Sequence, residues 1–194
     1  LADQENIERI VVTGGIFYNV KLNNRILRYC QEHNKAICIP PLAGDQGAAF
    51  GVYCKYTSNT IDIVEKGYCF GVRNFNVNIT EDYLNKIIED ILAGKIVNVV
   101  HGDMEFGPRA LCNTSSLFLP TKENVEFVNS INRRNTVMPM APVMLEKNLP
   151  YFFNKDQYSR VIGSDRFMIL TYDYKDNVDY KKYSGIMHKY PSED

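Results

Sequence analysis

A β-branched run stopped by two glycines constrains this chain more than any other stretch. Residues 8–13 read Glu-Arg-Ile-Val-Val-Thr and end at Gly14-Gly15, the pattern of a buried strand closed by a turn. From Asn19 to His33, apolar residues recur at Leu22, Ile26, Leu27 and Cys30. That spacing fits one helical face, with Lys21, Arg25, Arg28 and Glu32 mostly outside it. Ala36 to Ile39 predicts a second short strand, closed by Pro40-Pro41. After Gly44-Asp45-Gln46-Gly47, the small-residue stretch Ala48-Ala49-Phe50-Gly51-Val52 predicts a tightly packed helix. Strand, glycine turn, helix, strand, loop, helix is the order of an α/β layer with crossover connections.

From Thr57 to Asn78 the periodicity is lost and turn residues accumulate, which places a domain boundary near residue 78. Thr80 then reads as an N-cap, with Glu81 and Asp82 at the positive helix end. Tyr83, Leu84, Ile87, Ile88, Ile91 and Leu92 form an apolar stripe, and Gly94 is the expected stop. Lys95 to His101 predicts a strand that leads into Gly102-Asp103-Met104-Glu105-Phe106-Gly107-Pro108-Arg109. Thr121 is expected to cap a further helix ending near Asn132, and Arg166 to Thr171 reads as an apolar strand.

Composition removes several function classes. The chain has 194 residues, 45% of them hydrophobic, and a net charge of -1. Those are globular proportions, too apolar for a disordered segment. Without a basic surplus, a mainly electrostatic nucleic-acid binder is excluded. No run of 18 apolar residues predicts a membrane span, and no leader peptide is recognisable. The five cysteines are odd in number and form no Cys-x-x-Cys pair. They read as reduced thiols of a cytoplasmic protein. The chain opens at Leu1, which suggests a segment of a longer protein.

Four places carry chemistry. Gly14-Gly15, ahead of a helix, would let a backbone approach a ligand and offer N–H groups to an anion, or would simply make a turn. Asn19 reads either as a hydrogen-bonding partner for a base or ribose or as a helix cap. Asp45, between a strand and a helix, faces a ligand or metal on one reading and caps the helix on the other; one carboxylate alone does not make a metal site. Glu105-Phe106-Gly107-Pro108-Arg109 fixes a bend before a guanidinium, the side chain best shaped to grip phosphate or carboxylate with two bonds. Glu105 could orient that arginine, or the pair could be a structural salt bridge. Asn132-Arg133-Arg134-Asn135 before Met138-Pro139-Met140-Ala141-Pro142 is either an anion-binding arginine on a rigid support or a solvated basic helix end.

Taken in order, Gly14 to Asn23, Pro40 to Gly51, Met104-Glu105-Phe106-Gly107-Pro108-Arg109-Ala110-Leu111 and Pro139-Met140-Ala141-Pro142 resemble the O-carbamoyltransferase family of nodulation and antibiotic-tailoring enzymes. The likeness runs from about residue 8 to 155, and Glu-Phe-Gly-Pro-Arg-Ala-Leu is its most specific block. It implies an α/β fold in two parts: residues 1–78 as the end of an actin/Hsp70-like lobe that transfers carbamoyl, and residues 79–194 as the start of a YrdC/Sua5-like adenylating domain. The implied reaction makes carbamoyl adenylate from carbamoyl phosphate and ATP, then passes the carbamoyl group to a hydroxyl of a small-molecule acceptor. Gly14, Gly15 and Asn19 would hold the nucleotide, Asp45 would bind a divalent metal (iron or magnesium), and Arg109 and Arg134 would line the adenylating pocket. The resemblance implies neither nucleic acid nor membrane as a partner and admits a homodimer. An actin-fold sugar kinase and a non-catalytic nucleotide- or anion-binding module are the alternatives.

Five positions depart from the family pattern. Cys112 stands where the family usually has Gly and Thr114 where it has Arg. Asn132, Asn135 and Met138 replace a frequent Lys, Glu and Arg. Three of these changes remove positive charge near the expected phosphate site. The family's histidine metal ligands would precede this chain, and its adenylating domain would continue past Asp194. The isolated chain is therefore expected to hold incomplete pockets and to lack transfer activity.

Overall fold

The β-branched run forms β1 (Arg9–Val11), which pairs in parallel with β2 (Ala36–Cys38), Ile10 opposite Ile37. Between them runs α1 (Val20–Glu32), so the start of the chain is a parallel β-α-β crossover. In this computed structural model the described residues are 6–57, 69, 71, 78–134 and 139–187. β1 is not the buried strand its sequence predicts: Arg9 and Val11 are exposed, Val11 at 68%. The core lies on the α1 side of β2, where Ile37 and Ile39 are fully enclosed with Leu27 and Cys30.

The buried face of α1 differs from the apolar set by two asparagines. Asn23 and Asn24 are buried, while Leu22 and Ile26 are half-buried. Asn23 donates through Nδ2 to the carbonyls of Phe17 and Ile169, each at 2.6 Å, and Asn24 donates to that of Thr171 at 2.8 Å. These side chains take carbonyls that a neighbouring strand would otherwise have to satisfy. Hence Arg166 to Thr171 is not a strand. It begins as a 3-10 turn (Ser164–Phe167) between left-handed Gly163 and Met168, and continues as a segment whose Ile169 is fully buried against α1.

α2 (Gln46–Thr57) forms where expected but is not tightly packed, since none of its residues is buried. Its first turn packs closely: a Cβ on Gly47 would lie 2.2 Å from the Leu42 carbonyl oxygen. Val52, Tyr53 and Tyr56 face outward.

Further along, α3 (Glu81–Leu92) is capped by Thr80, whose hydroxyl accepts the Tyr83 N–H at 3.3 Å. It ends on Gly94 at φ +83, with Gly94 N–H bonded to Ile91 O and Lys95 N–H to Asp90 O. Those two bonds are the Schellman stop that glycine favours. The expected stripe is present, but Tyr83, Leu84, Ile88 and Leu92 are exposed. β3 (Val97–Val100) pairs antiparallel with β4 (Thr114–Leu117), a strand the sequence reading did not contain. α4 (Lys122–Ile131), capped by Thr121, buries Val125, Val128 and Asn129. Gly185 sits against it, its N–H on Pro120 O and its carbonyl accepting Met140 N–H. Short helices α5 (Leu149–Phe152) and α6 (Lys155–Tyr158) complete the described elements.

The described residues thus form a mixed α/β fold with two small sheets among them. Its contacts form two units, Leu1–Tyr68 with Met144–Val178, and Cys69–Val143 with Asp179–Asp194. Residues 144–178 pack with the first unit, through α1 and β2. Ile37 brackets that junction, donating to Arg160 O and accepting from Ile162 N–H, both at 2.9 Å. Most of the aperiodic stretch 57–78 lies outside the described residues. No helix among the described residues is long and apolar enough to cross a membrane.

Candidate functional site

In the first unit a cavity of about 520 Å³ opens beyond the carboxyl ends of β1 and β2. One wall is the turn Thr13-Gly14-Gly15, and the other is the loop from Pro40 into α2. Gly14, at φ +118, takes a conformation that a side chain would strain. Its N–H donates to Ala43 O at 2.7 Å, and the Thr13 hydroxyl donates to the same oxygen at 3.2 Å. The two walls are therefore tied together through Ala43. A Cβ on Gly15 would meet no atom within 4 Å, so this position is open. Asp45 is exposed and lines the same cavity.

Gly14, Gly15 and Asp45 are thus brought together. Asn19 is not part of that lining. Its Oδ1 accepts the N–H groups of Lys21 and Leu22 at 3.1 and 3.2 Å, so it caps α1. The donors that the sequence offered to an anion at this helix start are therefore partly satisfied from within the chain. Tyr18, which sequence reasoning passed over, reaches the loop instead. Its hydroxyl accepts the Gly44 N–H at 3.2 Å and lies 3.2 Å from Gln46 Oε1.

The second unit carries the Glu-Phe-Gly-Pro-Arg bend. Glu105 is only 8% exposed. Its Oε1 accepts the N–H groups of Leu111, Asn113 and Thr114 at 2.7, 2.7 and 3.0 Å, and its Oε2 accepts the Thr114 hydroxyl at 2.5 Å. Burial alone would push this carboxyl up, but the Thr114 hydroxyl and the backbone N–H groups outweigh it and hold the carboxyl at about 2. Both oxygens thus serve the turn at 111–114, where the sequence suggested a partner for Arg109. Arg109 is half-buried, with Nε shielded from solvent. Arg134 is exposed past the end of α4, its N–H on Asn129 O.

The departures from the family pattern also find places. Cys112 has φ +76, a left-handed backbone that glycine adopts without strain. Thr114 is the hydroxyl on Glu105, and Asn132 ends α4. Asn135 and Met138 lie outside the described residues. The five cysteines are free thiols, and burial pushes those of Cys30, Cys69 and Cys112 up, away from the reactive range. Among the described residues no group of three or more His, Cys, Asp or Glu could hold a metal. Asp45 is one carboxylate at an open mouth, so the described residues do not by themselves fit the divalent ion that the resemblance implies.

Comparison with known proteins agrees with these blocks. A model of the carbamoyltransferase C-terminus family matches residues 88–192. An uncharacterized protein of Methanocaldococcus jannaschii is 31% identical over 207 residues, covering 97% of this chain and 38% of that protein. Nodulation protein NolO of Bradyrhizobium diazoefficiens is 26% identical over 192 residues, covering 88% of the chain and 35% of NolO. The 3'-hydroxymethylcephem-O-carbamoyltransferase of Amycolatopsis lactamdurans is 37% identical over 70 residues, 34% of this chain and 13% of that enzyme. The chain spans less than two-fifths of the length of each of these relatives. Because the family match takes in more than half of its residues, the chain belongs to the carbamoyltransferase C-terminus family.

Proposed function

We propose that the chain is part of an ATP-dependent carbamoyltransferase that forms carbamoyl adenylate from carbamoyl phosphate and ATP, then passes the carbamoyl group to a hydroxyl of a small acceptor. One observation carries the reading: Gly14, Gly15 and Asp45 line a single cavity at the carboxyl ends of parallel strands. Open α/β sheets bind ligands at that edge, because loops rather than packed side chains occupy it. On this reading the first unit derives from an actin/Hsp70-like lobe, and its cavity takes the nucleotide part of carbamoyl adenylate. The second unit derives from a YrdC-like domain, in which Arg109 and Arg134 offset phosphate charge. Carbamoyl phosphate and ATP are both polyanions, so bringing them together calls for fixed cations. A guanidinium fork also fixes the direction of a phosphate, which an ammonium does not. The name of the Amycolatopsis relative supports an oxygen acceptor.

Calorimetry of the complete open reading frame with ATP tests the nucleotide half, and Arg109→Lys in the same protein tests the fork. A loss of about tenfold in phosphate-ligand affinity is expected for one charge-assisted bond. ATP–pyrophosphate exchange stimulated by carbamoyl phosphate, measured on the complete open reading frame, tests the adenylating half. Absence of that exchange, with ATP binding retained, would favour the non-catalytic module. Thr114 in place of a cation on Glu105 is the observation on that side.

A further inference from the structure

We propose that Tyr18 is a positioning residue that sets the mouth of the cavity by latching the Gly44–Gln46 loop. Tyr18 closes the 3-10 turn Gly15–Tyr18, directly after the Gly14-Gly15 wall. Its hydroxyl accepts the Gly44 N–H at 3.2 Å and has Gln46 Oε1 at 3.2 Å and Pro41 O at 3.5 Å as acceptors for its own proton. One phenol therefore touches the loop before, within and after Gly44, and Asp45 stands between two of its partners. The approach is close enough to require glycine: a Cβ on Gly44 would lie 2.8 Å from Tyr18 Cε2. On the other side of Asp45, Ala43 O is held by Thr13 and Gly14. Asp45 is thus suspended between two anchors, both of which lead back to the glycine turn that forms the opposite wall.

The geometry gives the phenol a purpose that its exposure would not. The phenol joins the turn that follows Gly14-Gly15 to the facing loop, through its bonds to Gly44, Gln46 and Pro41. Without them, the described bonds that remain near Asp45 are those at Ala43 and those of the helix, with the Gly47 contact on Leu42. The latch as geometry is independent of the ligand; its effect on nucleotide rests on the function proposed above.

Tyr18→Phe removes the oxygen and keeps the ring. Exchange of the Gly44 amide, followed by NMR on the whole chain, is expected to rise about fivefold, the effect of one net hydrogen bond. Amides of β2 should be unchanged. In the complete open reading frame with the same substitution, ATP affinity by calorimetry should fall about threefold to tenfold while the thermal midpoint stays within about 2 °C. Gln46→Ala keeps the Gly44 bond and should leave Gly44 exchange near its parent value. Unchanged Gly44 exchange in Tyr18→Phe would overturn the latch. Faster exchange with unchanged ATP affinity would overturn the positioning role. If the complete open reading frame binds no ATP, the proposed function fails, and the exchange experiment still decides the latch.

Discussion

Replacing Glu105 by glutamine removes one charge from the centre of a turn that four donors hold in place. A carboxyl held at about 2 instead of 4.5 favours its ionised form by about 3 kcal/mol, since one pKa unit corresponds to about 1.4 kcal/mol. The bond inventory gives a similar figure. Three N–H groups and one hydroxyl meet the carboxylate, and exchanging each charge-assisted bond for a neutral one loses roughly 1 kcal/mol. Glu105→Gln should therefore destabilise the second unit by about 3 kcal/mol at pH 7. The folded carboxyl titrates below the unfolded one, so the unfolded chain takes up the proton first as pH falls. The contribution is full above about pH 5, declines below the unfolded value of 4.5, and is gone as pH passes about 2. Urea denaturation of the parent chain should show that decline, and the glutamine variant should lack it. Amide exchange at Leu111, Asn113 and Thr114 locates the effect, because these are the donors involved. Wild-type exchange at all three in the variant, or titration of Glu105 at its ordinary value, would refute the argument.

Cys112→Gly should raise the urea midpoint by the equivalent of about 1 kcal/mol, because it relieves a left-handed φ of +76. Asn19→Ala should cost about 1 kcal/mol in the same assay, since two N–H groups at the start of α1 lose their acceptor. Asn23→Leu leaves the Phe17 and Ile169 carbonyls without their donor inside the core; a loss of roughly 2–4 kcal/mol by denaturation is expected. Gly47→Ala drives a methyl group into the Leu42 carbonyl, so the urea midpoint should fall by the equivalent of about 1–3 kcal/mol, and the complete open reading frame should show reduced ATP affinity by calorimetry.

Where backbone geometry follows from local sequence, the reading and the structure agree. Asn19, Thr80 and Thr121 cap three helices because each sets a short polar side chain before an apolar periodic run. Gly94 ends α3 because a left-handed residue closes its last turn. Where partners are distant in sequence, the two diverge. Nothing near Arg166 announces that carbonyls at 169 and 171 bond to asparagine side chains almost 150 positions earlier, so an apolar run reads as a strand. Asn23 and Asn24 interrupt the apolar face of α1 for that same reason, and they were the available signal. The exposed stripe of α3 carries the converse lesson, because periodicity establishes that a face is apolar and not what covers it.

The site follows the same division. Gly14, Gly15 and Asp45 drew notice because glycines and a carboxylate each follow a strand, and the structure puts the three on one cavity without choosing between a ligand and the turn and cap readings. Tyr18 was not, since an aromatic between two elements reads as core until its hydroxyl is seen on another loop. Glu105 was found for the wrong partner. A carboxylate four residues before an arginine suggests an ion pair, yet a buried carboxylate is held best by several donors that cannot leave, and backbone N–H groups meet that condition. Those of residues 111, 113 and 114 lie on the turn that launches β4. The charge in the most specific block of this sequence therefore fixes the backbone beside Arg109, and any task given to that guanidinium depends on the shape Glu105 maintains.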